Sequence, residues 1–208
     1  MVIINRLFII IMFCASLVTG YAQAPKTVAD CTVHFQVSVG DDGATDTRTT
    51  KTVYLRGRDV RIDMQSPEFT QTTLYNALRG SAVILREIGG QKYMSTLDAD
   101  KWKKFNQKYD GMSVSLTSET KTILGYECKK AVATLKSGTV LNIFYAPAIV
   151  PSIAENDYQF KGIPGFVLEY ETQGDKDKQK IRFVAVSMNL DPVPAVKFEV
   201  PKSGYRIL

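Results

Sequence analysis

Histidine is almost missing from this chain: His34 is the only one in 208 residues. A histidine-rich metal site is therefore excluded, and a histidine-based triad would rest on a single ring. That ring alternates onto the polar face of its strand. No Gly-x-Ser-x-Gly elbow, phosphate-binding Walker loop or dinucleotide fingerprint occurs. Cysteine is scarce too, with three in the chain, and Cys14 lies in the leading apolar run. Tryptophan occurs once, and the charge balance is close, at +5 from 26 basic and 21 acidic residues. The lysines and arginines are interspersed with acids rather than clustered with aromatics, so no nucleic-acid partner is expected. Beyond the N-terminus no stretch is long and apolar enough to span a bilayer as a helix.

The one apolar run, Leu7 to Val18, follows Arg6 and precedes Gly20-Tyr21-Ala22, with small residues at −3 and −1. It is about a dozen residues long, short of the roughly 20 needed to cross a membrane. This is the pattern of a secretory signal peptide, residues 1–22, cleaved after Ala22. Neither Cys14 nor Cys31 has the small preceding residues of a lipidation site. The expected product is a soluble, periplasmic or secreted protein of a Gram-negative cell envelope, with no membrane span after cleavage. It keeps 208 − 22 = 186 residues, which suits one domain, 23–208.

Export places Cys31 and Cys128 in an oxidising compartment. A disulfide between them would close a loop worth roughly 4–5 kcal/mol in the chain-entropy model. Two separately buried thiols are the alternative.

Period-2 alternation dominates what remains. Cys31, Val33, Phe35, Val37 and Val39 alternate with polar residues, and Val60, Ile62 and Met64 do the same after Gly57-Arg58. Turn signals at Arg79-Gly80, Gly89-Gly90 and Ser137-Gly138 recur at meander spacing. One helix is expected from an N-cap at Asp98, with Trp102, Phe105 and Tyr109 on its inner face and Leu97 and Trp102 as a hydrophobic staple. Ile163-Pro164-Gly165-Phe166 predicts a type II turn, with Gly165 at φ > 0, launching a strand with Phe166, Leu168 and Tyr170 on one face. Pro147–Tyr158 predicts an irregular segment with one or two helical turns around Ser152–Asp157. The fold class is mainly β (α+β). The expected form is a curved antiparallel sheet or open half-barrel of about ten strands, capped by one helix and a short helical insertion.

Three stretches carry a family resemblance: Ile123–Ala131, Phe144-Tyr145-Ala146-Pro147 and Phe160–Glu169. The chain resembles the GLPGLI family of exported bacterial proteins, whose motif here reads Gly162-Ile163-Pro164-Gly165-Phe166-Val167. It also resembles a neighbouring exported family common in the Bacteroidetes, which looks like the lipoprotein-carrier (LolA-like) fold. That resemblance implies a curved sheet wrapped around an apolar cavity, and it brings no catalytic residue or cofactor.

The chemistry expected is therefore binding rather than catalysis. Trp102, Phe105, Phe160, Ile163, Phe166, Leu168 and Tyr170 are the candidate wall of a cavity for a lipid or other apolar ligand; Gly162, Pro164 and Gly165 are structural. The same residues would equally serve a filled core in a module that contacts an envelope protein. A hydrolase using Glu169 and Glu171, about 6.5–7 Å apart on one strand face, is the third reading, against a solvated outer face. Asp41-Asp42-Gly43 to Asp46 reads as an ordinary turn rather than a calcium loop. No metal and no cofactor are called for.

Overall fold

A computed structural model describes residues 24–39, 44–174 and 179–208, with backbone only for 44–47. The expected signal peptide, the Asp41–Asp46 turn side chains and the tip of the charged 174–178 hairpin lie outside the described residues.

The chain builds β1 (Lys26–Val28), β2 (Asp30–Val39), β3 (Ala44–Arg56), β4 (Asp59–Gln65), β5 (Phe69–Asn76), β6 (Ser81–Ile88) and β7 (Gln91–Leu97). The helix α1 (Ala99–Phe105) follows, with a 3-10 turn at Gln107–Tyr109. Then come β8 (Ser113–Ile123), β9 (Tyr126–Thr134), β10 (Val140–Ala146), β11 (Ile149–Pro151), β12 (Phe166–Gln173) and β13 (Lys180–Asn189). A second 3-10 turn, Ala195–Phe198, and β14 (Arg206–Ile207) complete it.

Twelve of these strands form one curved sheet in the order β14-β7-β6-β5-β4-β3-β2-β13-β12-β10-β9-β8, which does not close into a barrel. The sheet is two runs of neighbouring hairpins, joined where β13 pairs antiparallel with β2. Hairpins dominate because most connections are short; the exceptions are β10 and β12, joined across residues 147–165, and β14, which pairs β7 in parallel. The β8–β9 loop has two residues: Ile123 pairs Tyr126, and both loop residues, Leu124 and Gly125, have positive φ, at 51° and 81°. That is the backbone of a type I′ turn, which matches the right-handed twist of the flanking strands. β1 and β11 form a separate parallel pair.

The helix begins where Asp98 Oδ1 accepts from the Lys101 amide at 2.9 Å, and Trp102 is buried on its inner face. Phe105 departs from expectation: 52% of it is exposed. The helix ends at Phe105, and buried Asn106 takes the interior position instead, its Nδ2 donating to the Trp102 carbonyl at 2.9 Å. Phe105 is left stacked on the outer face of Trp102, with centroids 5.4 Å apart.

Residues 152–165 are also corrected. The insertion is present, but it is mostly turns and bends, and its one helical turn spans Asn156–Phe160, where the Phe160 amide donates to the Asn156 carbonyl at 3.0 Å, rather than Ser152–Asp157. Asn156 sets that position, because its Oδ1 caps the turn by accepting from the amides of Tyr158 and Gln159 at 2.9 and 3.0 Å.

The two glycines of the motif exchange roles. Gly165 is not among the residues with positive φ; the left-handed one is Gly162, at 81°, where the Ile163 amide donates to the Phe160 carbonyl at 3.1 Å. The turn thus sits three residues earlier than predicted, across Phe160–Ile163. Gly165 is required by space instead, since a Cβ there would lie 2.5 Å from the Ala146 carbonyl oxygen.

Candidate functional site: an apolar cavity with a buried ion pair

The inner rows of β2 and β3 form the floor of the site. Val33 and Phe35 of β2 and Val53 and Leu55 of β3 alternate inward and are buried. The 152–165 segment crosses above them. Its start is tied down by Ser152, whose amide donates to Val28 O and whose Oγ donates to Gly57 O at 2.8 and 2.7 Å. Further along, Asn156 Nδ2 donates to Asn106 Oδ1 beside the helix at 3.0 Å. Between floor and segment lies a cavity of about 140 Å³, with Val33, Phe35, Val53 and Leu55 below and Phe160, Ile163 and Phe166 on its walls. Val150, Pro151 and Ala154 are only partly buried, so the cavity reaches the surface along that rim.

One corner of the cavity is polar. Glu155 contributes to its wall, and the Lys51 ammonium donates to Glu155 Oε1 and to the Tyr170 hydroxyl. The Tyr170 hydroxyl is itself 3.5 Å from Glu155 Oε1. The Lys51 side chain is 5% exposed and that of Glu155 13%. Rings enclose the ammonium, with Phe35, Tyr170 and Phe183 centroids at 5.3, 4.7 and 4.8 Å from Nζ. Burial lowers the Lys51 pKa from its ordinary 10.5, and the Glu155 carboxylate works against that shift. Burial, helped by the Glu155 charge, pushes the Tyr170 phenol well above its ordinary range. An apolar hollow whose lining carboxylate is bonded to a buried lysine and tyrosine of perturbed ionisation has the character of a binding or active site.

Of the residues expected to line a cavity, Phe160, Ile163 and Phe166 do so. Tyr170 stands behind Phe160, edge to face at 5.0 Å, and holds the polar corner. Trp102 and Phe105 lie elsewhere, in a stack that begins on Tyr75, and Leu168 is wholly buried in the core. Sequence reasoning missed Lys51 and Glu155. Lys51 shares the inward row of Leu55 and Val53 at period 2, and that placement was its signal. Glu155 lies in an aperiodic segment 104 residues away and had none.

A second hollow, of about 380 Å³, opens at the far end of the sheet beside Val37, Val39, Met64, Phe69 and Ile181. Of these only Val37 is fully buried, and among the described residues no buried polar group lines it. It is therefore less site-like than the smaller cavity.

The other candidate groups are occupied or shielded. Glu169 is 5% exposed rather than solvated. It pairs with Arg182, Nη2 to Oε1 at 2.8 Å, and with Lys121. Glu171 accepts from the Asn142 amide and Nδ2 at 3.0 and 2.8 Å. His34 is exposed, with Nδ1 3.0 Å from Thr52 Oγ1. Cys31 and Cys128 are separately buried free thiols. Burial pushes them up to about 12 and about 11, so neither is a thiolate at neutral pH. Among the described residues, no group of three His, Cys, Asp or Glu side chains could hold a metal ion, and no helix is long and apolar enough to cross a membrane.

No curated protein matches the chain. Among solved structures, PNGF-II is similar in two crystal forms. In the C2 form the match covers 86% of this chain and 30% of that one, at 15% identity and a TM-score of 0.51. In the P21 form it covers 86% and 31%, at 14% identity and a TM-score of 0.52. This chain thus spans about a third of the length of PNGF-II. An uncharacterized conserved protein from Thermus thermophilus matches over 87% of this chain and 90% of that one, at 9% identity and a TM-score of 0.50. At these identities the likeness concerns the fold alone. Residues 60–181 match the family described as N-glycanase peptide, N-terminal domain. That match covers 181 − 60 + 1 = 122 of 208 residues, and the chain belongs to this family.

Proposed function

We propose that this chain is an exported, non-enzymatic binding module of the bacterial cell envelope, and that it seats a small apolar group in the cavity beneath the 152–165 segment. The cavity itself carries the reading, because a filled core would leave no such space at a rim that reaches solvent. Its volume selects the guest. About 140 Å³ is close to the ~150 Å³ hollow that accepts a benzene-sized molecule. It falls below the ~300–1,000 Å³ typical of drug-sized ligands. A ring, a branched aliphatic group or the end of an acyl chain enters; a whole lipid does not. An apolar side chain of an envelope protein partner is the same size, so the partner reading merges with the ligand reading here.

Binding is favoured over hydrolysis because Glu169 is tied up by two cations and both thiols are held protonated. The family description names an N-glycanase, and this chain corresponds to about a third of PNGF-II. We assign the shared module recognition rather than cleavage. Kinship with the GLPGLI proteins and the lipoprotein-carrier fold belongs to the same reading, resting on the motif at residues 160–169 and the curved sheet.

The test is native mass spectrometry of the protein expressed with export and purified without detergent. A bound mass that is lost on denaturation, and is absent from a cavity-filling Ala154→Phe variant, is the expected result. A clean apo mass, with no uptake of added toluene, overturns the proposal.

A further inference from the structure

The reading above leaves the polar corner without a task. An apolar cavity that served only apolar guests would be better walled by hydrocarbon, since a buried ion pair is commonly no more stabilising than apolar residues of the same volume. Here a fully enclosed ammonium stands behind Glu155, and that partner carboxylate, on the covering segment, is the group that lines the cavity. Lys51 is fixed: it projects from the middle of β3, between β2 and β4, and three aromatic rings surround it. Glu155 is not fixed in the same way. It comes from a stretch of bends, keeps 13% of its side chain exposed, and stands at the cavity wall. The backbone on either side is anchored at Ser152 and Asn156. Rotation of the Glu155 side chain alone would therefore bring its carboxylate to water and leave Lys51 and the Tyr170 hydroxyl facing the cavity.

Resting on the reading that the cavity binds, we infer that its ligand is a small apolar carboxylate. In this arrangement the ligand's carboxylate replaces Glu155 on Lys51 and Tyr170, and Glu155 is the internal stand-in that fills the place when no ligand is bound. The apolar body of the ligand lies against Val33, Val53, Phe160 and Phe166. Its two oxygens take the Lys51 ammonium and the Tyr170 hydroxyl, the pair that Glu155 Oε1 contacts now. The exchange keeps the buried charge neutral, because one carboxylate leaves the site as another enters. A neutral molecule of the same shape cannot make this exchange. It must either leave the ion pair untouched or strand the ammonium, which costs far more than the bond it would gain. A free acid and the C-terminal carboxylate of a partner ending in an apolar residue share this chemistry. A blocked and an unblocked terminal phenylalanine peptide tell the two apart from benzoate alone.

The probes are benzoate, benzamide and toluene, titrated against the purified protein by ligand-observed NMR. Benzoate should bind roughly tenfold or more tightly than benzamide, the ratio expected for a hydrogen bond to a charged group. Glu155→Gln, which removes the competitor, should widen that ratio. Lys51→Met should erase it while toluene still binds. If toluene binds and benzoate is no tighter than benzamide, the carboxylate inference is overturned and the apolar reading stands. If none of the three binds, the reading itself fails and takes the inference with it. The wild-type comparison decides between these outcomes even if a variant does not fold.

Discussion

Removing the negative partner from Lys51 should be costly at neutral pH and much less so in mild alkali. In Glu155→Gln the ammonium keeps its enclosure of Phe35, Tyr170 and Phe183 but loses its counter-charge. Stripping one partner from a buried pair costs about 3–5 kcal/mol. The cost has a ceiling, because the lysine can release its proton instead. From the ordinary value of 10.5, neutralisation at pH 7 costs about 1.36 × 3.5, or ~5 kcal/mol, and at pH 9 about 2 kcal/mol. The direction follows from linkage. A lysine whose native pKa is lowered binds fewer protons folded than unfolded, so stability rises with pH between that lowered value and 10.5. Above pH 10 the raised Tyr170 phenol acts oppositely, since the unfolded chain then loses a proton that the folded one keeps. The clean window is therefore below pH 10. Urea unfolding of wild type and Glu155→Gln at pH 7 and pH 9 should show the deficit shrinking from about 3–5 to no more than about 2 kcal/mol. A deficit under 1 kcal/mol at pH 7, or one equal at both pH values, would refute the claim that Lys51 is a buried cation held by Glu155.

Three further outcomes follow from the backbone and the thiols. Gly165→Ala forces a Cβ to 2.5 Å from the Ala146 carbonyl oxygen and 2.7 Å from the Tyr145 ring. It should cost about 1–3 kcal/mol by overpacking. Gly162→Ala meets open space and should lose only about 1 kcal/mol through its positive φ; paired chemical melts that rank them the other way would contradict the assigned roles. Leu124→Asn, at a left-handed hairpin position with φ 51°, should raise stability by up to about 1 kcal/mol, read as a higher melting temperature. Cys31 and Cys128 should resist iodoacetamide at pH 8 in the folded protein and react at once in urea; fast labelling of the native state would overturn their burial as protonated thiols.

Much of the sheet was legible because period-2 alternation is a local signal. β2 reads inward at Cys31, Val33, Phe35 and Val37, and the structure buries all four. The N-cap at Asp98 was legible for the same reason, since a cap is settled within four residues. Two of the misreadings have a common physical cause: each depended on a partner distant in the chain. Helical spacing favours Phe105 as an inward residue, yet Asn156, fifty residues on, bonds Asn106 and gives it the interior place. Pro164-Gly165 carries a turn signature, but the approach of the β10 backbone at Ala146 decides what Gly165 is for.

The site shows this dependence most sharply. Its apolar half, Phe160, Ile163 and Phe166, could be named from one stretch of sequence, because apolar residues near a strand start must face something. Its polar half could not. Lys51 on an inward row is a contradiction taken alone: a lysine there must be paired, neutral or turned outward. Only the fold shows that it is paired, and that its partner rides on the segment above the cavity. A buried charge whose counter-ion sits on a fixed strand would be a structural choice. With the counter-ion on a segment of turns, the same charge can be handed from one carboxylate to another. That asymmetry, a fixed cation and a movable anion, is the reason to look for function in this corner of the fold.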